Sequence, residues 1–216
     1  GLIVISLDDS PATLTQYIDY GGRVALLEAD YPLEGAICAK IDYREAGRTA
    51  AQYLADRGHR NIALITAPLT KLYRRDILAG VTACLASNRI AFGPGDCFVA
   101  EHEVESETGM YEFDMGKELM LRLLNRRARK YTAVIAANDI TAFGVIQAVS
   151  QNRLTIPGDL SIISFDNIPY AAMVSPALTT VALPSASMGA SACHFLINAL
   201  EAPGQEVENI SFSFPC

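Results

Sequence analysis

The chain has 216 residues, half of them hydrophobic, with a formal charge of -7 and a pI near 5.0. That length can bury a core as one large domain or two small ones without staples, and no apolar run approaches the ~18 residues that a membrane helix needs. The acidic balance leaves no general attraction for phosphate backbones, so this segment alone is a poor nucleic-acid binder.

Apolar runs of five to seven residues alternate with segments of helical period. Residues 2–6 read as a buried strand, 11–20 as a helix opened by a Ser10 cap with Pro11 in its first turn, and 24–29 as the next strand. The opening residues lack the basic and small-residue marks of a signal peptide, and a chain that opens mid-strand reads as a fragment. Residues 30–41, with Pro32 and Gly35, read as a loop. A helix over 43–57 then places Ala46, Ala50, Tyr53 and Leu54 on one face before Gly58 ends it. Strand 61–67, a helix from about 74 to 88, a Gly93-Pro94-Gly95 turn and strand 97–100 come after it.

After the acidic stretch 101–107 comes a helix with Met115, Leu119, Leu123 and Leu124 inward and Arg122, Arg126, Arg127, Arg129 and Lys130 crowding its end. Cations there suit the helix dipole, so the cluster reads as a capping, solvated face. Strand 132–137, helix 140–152, a turn at Ile156-Pro157-Gly158-Asp159 and strand 160–165 come next. A short helix near 170–174, strand 179–183, helix 187–201 and strand 209–214 end the pass. This is the grammar of an α/β fold with parallel strands and helices on both faces.

Two strands run straight into polar pairs, Asn138-Asp139 and Asp166-Asn167. Residues just past the carboxyl ends of parallel strands face the crevice where ligands bind, so these pairs point to a small polar ligand.

Catalytic signatures are lacking: there is no Gly-rich phosphate loop, no nucleophile elbow, no zinc helix and no sign of a cofactor. His59 is expected to serve a helix C-terminus, His102 to sit on a solvated acidic edge between Glu101 and Glu103, and His194 to pack half-buried. The five cysteines, Cys38, Cys84, Cys97, Cys193 and Cys216, form an odd set without a Cys-x-x-Cys pair. They read as reduced core thiols of a cytoplasmic protein.

Gly47-Arg48-Thr49-Ala50 with Tyr53-Leu54, then Gly58-His59-Arg60-Asn61-Ile62-Ala63, resembles the helix-to-strand signature of the lactose-repressor/galactose-repressor family of transcription regulators. Four more blocks succeed it in that family's order. They are Thr132-Ala133 through Ala137-Asn138-Asp139 to Ala142-Phe143-Gly144; Ile156-Pro157 with Asp159-Leu160-Ser161-Ile162-Ile163; Phe165-Asp166-Asn167; and Pro176 through Val181 to Met188-Gly189.

The resemblance implies a two-lobed, periplasmic-binding-protein-like core with three inter-lobe crossings, near Asn61, near Ile168 and after Ala190. On that basis the N-terminal lobe comprises 1–60 plus 168–190, lacking its first two strand-helix units, and the C-terminal lobe 61–167 plus 191–216. The helix-turn-helix of the family pattern lies outside this chain. The implied function is effector sensing: a sugar-like metabolite binds between the lobes and the change is relayed to operator DNA through the absent domain. A homodimer is implied, with no membrane role. A periplasmic solute-binding protein of a sugar transporter shares the fold and is the alternative, while an α/β enzyme would need a nucleophile and base in one cleft.

Ligand positions carry over as Asn138 and Asp166, with Glu45 and Ser6 as further candidates. The family's arginine before Gly80 is Ile77 here. Either Arg75 reaches the site from a shifted turn or the ligand lacks a bidentate partner. Val104 and Ser185 stand where the family often has rings, which implies weak stacking. Phe143, Met173 and Val174 match dimer-interface positions.

Overall fold

The computed structural model describes residues 1–5, 11–29, 33–102, 110–126, 130–201 and 210–212. The chain divides into two compact units, residues 1–42 with 184–216 and residues 43–183.

The first unit carries strands β1 (Leu2–Ile5), β2 (Val24–Leu27) and β3 (Ala36–Ile41), with helix α1 (Ala12–Asp19) between the first two. Ser10 lies outside the described residues. Pro11 takes the N-cap position of α1, and its carbonyl accepts from the Thr15 amide at 2.8 Å.

The second unit contains α2 (Tyr43–Asp56), β4 (Ile62–Thr66), α3 (Leu72–Ser87), β5 (Cys97–Val99), α4 (Tyr111–Leu124), β6 (Ala133–Ala136), α5 (Asp139–Gln151), β7 (Ser161–Phe165) and β8 (Thr179–Val181). The short helix expected near residue 170 is a 3₁₀ turn, Pro169–Ala172. Helix α6 (Ser185–Glu201) and strand β9 (Ile210–Phe212) return the chain to the first unit.

Every strand pair among the described residues is parallel. The first sheet runs β1-β2-β3-β9 and the second β5-β4-β6-β7-β8. In the second unit, Ala63, Ile65, Val134, Ala136 and Ile162 join one apolar cluster with Met115, Leu119, Leu123, Ala142, Val145 and Val149 of α4 and α5. The alternate positions Ile62, Leu64, Ile135, Ile163 and Phe165 are equally buried and point to the other face, where α2 lies along β6, β7 and β8 and packs on α3. Burial on both faces explains why these strands read as unbroken apolar runs rather than alternating ones.

Each helix pair closes on glycine. A Cβ at Gly80 would meet the Arg44 carbonyl of α2 at 1.9 Å, and one at Gly144 would meet the Phe113 carbonyl of α4 at 1.9 Å. The backbones therefore approach more closely than any side chain allows. Helix α2 stops at Gly58, whose φ of +84° suits the left-handed cap. The Gly58 and His59 amides donate to Ala55 and Leu54 carbonyls at 3.0 and 3.1 Å.

Several sequence expectations change. Residues 36–41, expected as loop, are β3, a central strand of the first sheet between β2 and β9. Gly35, at φ +78°, ends the turn, and the buried Ala36-Ile37-Cys38-Ala39 run begins at once.

The expected lobe boundaries shift as well. The chain passes between units after Asp42 and after Leu183 rather than near Asn61, near Ile168 and after Ala190. Helix α2 packs on α3 and so stays with the second unit, together with residues 168–183. Strand β9 pairs with β3 and α6 lies on β2 and β3, which places residues 191–216 in the first.

His59 leaves the helix-end carbonyls to Arg60, which donates to Ala55 and His59 oxygens at 3.0 and 2.9 Å, while the His59 ring pairs with the Thr132 hydroxyl at 3.0 Å. His194 is exposed on α6 beside Asn198. Of the described cysteines, all free, Cys38 and Cys84 are buried, Cys97 is partly buried and Cys193 is exposed, so the core-thiol expectation fails for Cys193.

No helix among the described residues is long and apolar enough to cross a membrane. The basic end of α4 is engaged by its neighbours: Arg122 pairs with Glu118 at 2.6 Å, and Arg126 donates to the Gly95 carbonyl and lies over the Phe98 ring. Arg127 and Arg129 are outside the described residues.

Candidate functional site

A cavity of about 170 Å³ opens in the second unit at the carboxyl ends of β4, β6 and β7. Its polar lining is Asn138, Thr141, Asp166, Glu112 and Arg74, and its rings are Tyr43, Tyr73 and Phe165. Ile77 completes the α3 side. The volume is that of about six liquid waters, which suits a small polar molecule.

Strand β6 delivers Asn138 in extended backbone, at φ -160°. Its side-chain oxygen accepts from the Thr141 amide at 2.8 Å, capping α5. The cap uses the oxygen and not the amide nitrogen's two donors, so a capping residue can also line the cavity.

Asp139, adjacent in sequence, is fully buried. It accepts from the Ser164 hydroxyl at 2.5 Å and the Ile168 amide at 2.8 Å. This carboxylate ties the exit of β7 to the start of α5 and is spent on structure.

Strand β7 is followed directly by Asp166, with φ +106°, and Asn167 comes next at φ +56°. Both conformations are costly or uncommon for residues with a Cβ. They are held by the Asp166 amide on the Val181 carbonyl at 3.0 Å and the Asn167 amide on the Thr180 hydroxyl at 3.2 Å. The Asp166 carboxylate has no hydrogen-bond partner among the described residues. It is pushed up to about 7, first by withdrawal from solvent and then by the nearby charges of Asp139 and Glu112. The residue as a whole is exposed, so water at the cavity mouth tempers that shift. A carboxylate held in this way accepts hydroxyl hydrogens, and its protonated form can donate one.

Arg75, which on one of the two sequence alternatives reaches the site from a shifted turn, is exposed on α3. Arg74 lines the cavity instead, 7% exposed, donating to the Tyr73 hydroxyl at 3.0 Å and the Pro68 carbonyl at 2.9 Å. Arg74 and Ile77 stand three residues apart on one helical face, so the guanidinium enters one turn before the apolar position.

The expectation of a weakly stacking site is also revised. Tyr43 and Tyr73 pair with ring centroids 5.2 Å apart and share the cavity wall with Phe165. Val104 and Ser6 lie outside the described residues. Glu45 does not line this cavity. It is held by Arg48, whose hydrogen bond pulls the carboxyl below its usual range.

Ser185 begins α6 in the first unit and is exposed. Of the interface candidates, Met173 is 73% exposed, whereas Phe143 and Val174 pack partly against the core of the second unit.

Sequence reading misses Thr141, Glu112, Tyr43 and Tyr73. Thr141 is recoverable as the third residue of a helix whose cap is itself a candidate contact. The others sit in first turns of helices remote in sequence, and nothing local marks them.

The profile of the periplasmic binding protein-like domain matches residues 40–214. The ribose operon repressor of Escherichia coli K12 is 35% identical over 167 residues, which cover 77% of this chain and 48% of that protein. The HTH-type transcriptional repressor PurR of Klebsiella pneumoniae is 33% identical over 180 residues, 80% of this chain and 50% of that protein. The chain thus spans about half the length of these curated relatives. Among solved structures, a regulatory protein of the LacI family from Chloroflexus aggregans superposes with a TM-score of 0.83 at 25% identity, covering 98% of this chain and 72% of that one.

Proposed function

Because this chain belongs to the periplasmic binding protein-like domain family, we propose that it is the effector-sensing domain of a DNA-binding transcriptional repressor. The relatives it matches are named as repressors, one of a ribose operon, which favours a sensor over a transporter's solute-binding protein or an enzyme.

The observation that carries this reading is the cavity at the strand ends, where Asn138 and Asp166 converge with Thr141, Glu112 and Arg74. The effector is a small polar metabolite of sugar type. Asn138 donates to it, the Asp166 carboxylate accepts its hydroxyls, and the Tyr43, Tyr73 and Phe165 rings cover its apolar face. No cofactor takes part. The protein acts in the cytoplasm, as a homodimer that places two helix-turn-helix heads on a two-fold operator, and Met173, exposed with Tyr170, contributes to the dimer surface.

Binding regulates only if the effector prefers one arrangement of the protein, since equal affinity for both shifts nothing. The test is operator affinity of the full-length protein across pentoses, hexoses, sugar acids, polyols and nucleosides. At least one compound is expected to change it, and Asp166→Ala to abolish that response. Operator affinity that is the same with every compound overturns the reading.

A further inference from the structure

Among the described residues, one buried side-chain oxygen has no hydrogen-bond partner: the Thr141 hydroxyl. Thr141 is fully buried, and it lines the cavity with Asn138, Asp166 and Glu112.

Helical threonines usually return the hydroxyl to the carbonyl one turn back. Thr15 does so on Pro11 at 3.1 Å and Thr82 on Leu78 at 2.7 Å. Thr141 makes no such bond. It is the third residue of α5, Asn138 is the cap, and the residue four positions back, Ala137, precedes the helix. The position thus carries a hydroxyl that its own helix leaves unused, on a wall where an aliphatic side chain of equal size would avoid the cost of an unpaired polar group.

The charge around it restricts what can satisfy it. Asp166 and Glu112 line the same cavity, and the lining cation, Arg74, is tied to the Tyr73 hydroxyl and the Pro68 carbonyl. The upward push on Asp166 comes first from withdrawal from solvent and then from the charges of Asp139 and Glu112, and those charges add to the negative field that an anionic ligand would meet. A phosphate or carboxylate would enter against two carboxylates with one committed guanidinium in return, whereas hydroxyl groups can donate to the carboxylates and exchange a hydrogen bond with Thr141.

We propose that Thr141 is a specificity-determining contact for the effector, and that the effector is an uncharged polyhydroxylated molecule, not a sugar phosphate or a sugar acid. This rests on the reading of the cavity as the effector site.

The test is calorimetric titration of the full-length protein and its Thr141→Val and Thr141→Ser variants. The ligands are D-ribose, D-xylose, D-glucose, D-galactose and xylitol, set against ribose 5-phosphate, glucose 6-phosphate and gluconate. The tightest ligand is expected to be uncharged. Thr141→Val should weaken it by about tenfold to a hundredfold, the scale of a buried partner left unmade, while Thr141→Ser stays within about threefold. The thermal midpoint of Thr141→Val without ligand should equal or exceed that of the parent, which separates a ligand contact from a structural role. A phosphorylated or acidic compound binding tightest, or Thr141→Val binding like the parent, overturns the inference and leaves the effector site standing. Failure of every compound to bind overturns the effector-site reading itself.

Discussion

Strand β6 hands over to Asn138-Asp139 and strand β7 to Asp166-Asn167, the same two residue types in opposite order. At the first exit the backbone stays extended and then turns helical, the asparagine caps α5, and the aspartate is buried with two hydrogen bonds. At the second, both residues take positive φ, the turn is pinned by β8, and the aspartate carboxylate is left facing the cavity. One exit engages its carboxylate in the fold, and the other leaves its carboxylate at the cavity without a hydrogen-bond partner among the described residues. The difference lies in the backbone after each strand: a helix N-terminus absorbs polar side chains as caps, whereas a strained turn leaves them unpaired.

Substitutions that exchange these roles should separate the two exits. Asp139→Ala should cost the most, about 3 kcal/mol in chemical denaturation, because the Ser164 hydroxyl and the Ile168 amide lose a buried acceptor. A loss below about 1 kcal/mol would contradict the structural role given to this carboxylate.

Asp166 should act through pH. An acid held at about 7 against an ordinary 3.8 binds its proton more tightly in the folded protein. Its contribution to stability is therefore fully present below about pH 4 and is lost as the pH rises through about 7. Thermal melts across that window should show the parent losing more stability than Asp166→Asn. Parallel curves would count against the shift.

Asn138→Ala should cost about 1 kcal/mol, the usual worth of an N-cap, and should weaken effector binding as well. Loss of stability alone would reduce Asn138 to a cap. Asn167→Gly should have the smallest effect, within about 0.5 kcal/mol, because asparagine tolerates the left-handed region and glycine gains freedom in the unfolded chain. A larger change would mean that the Asn167 side chain has a role beyond the turn.

Much of this molecule is written in local chemistry. The strands of the second unit read as strands because both faces are buried, and α2 ends where Gly58 permits a left-handed cap. Both polar exits are visible as Asn-Asp and Asp-Asn after apolar runs. Strand β3 is hidden because the Gly35 turn before it dominates a short window, and its partner β9 lies at the other end of the chain. The unit boundaries depend on which helices pack together, and α2 belongs with α3 through the glycine contacts rather than through its own pattern.

Periodicity, caps and strand ends are local properties, so the parallel α/β layers, the family resemblance and the positions of Asn138 and Asp166 could be read from the amino-acid order alone. The rest of the site is a product of packing. Burial of one face of α3 selects Arg74 over Arg75, three helices bring Tyr43, Tyr73 and Glu112 to one wall, and the paths of the chain beyond β6 and β7 assign Asp139 to the fold and Asp166 to the cavity. Those outcomes depend on contacts between residues far apart in the chain, and no local pattern encodes which of two neighbouring side chains will meet such a partner.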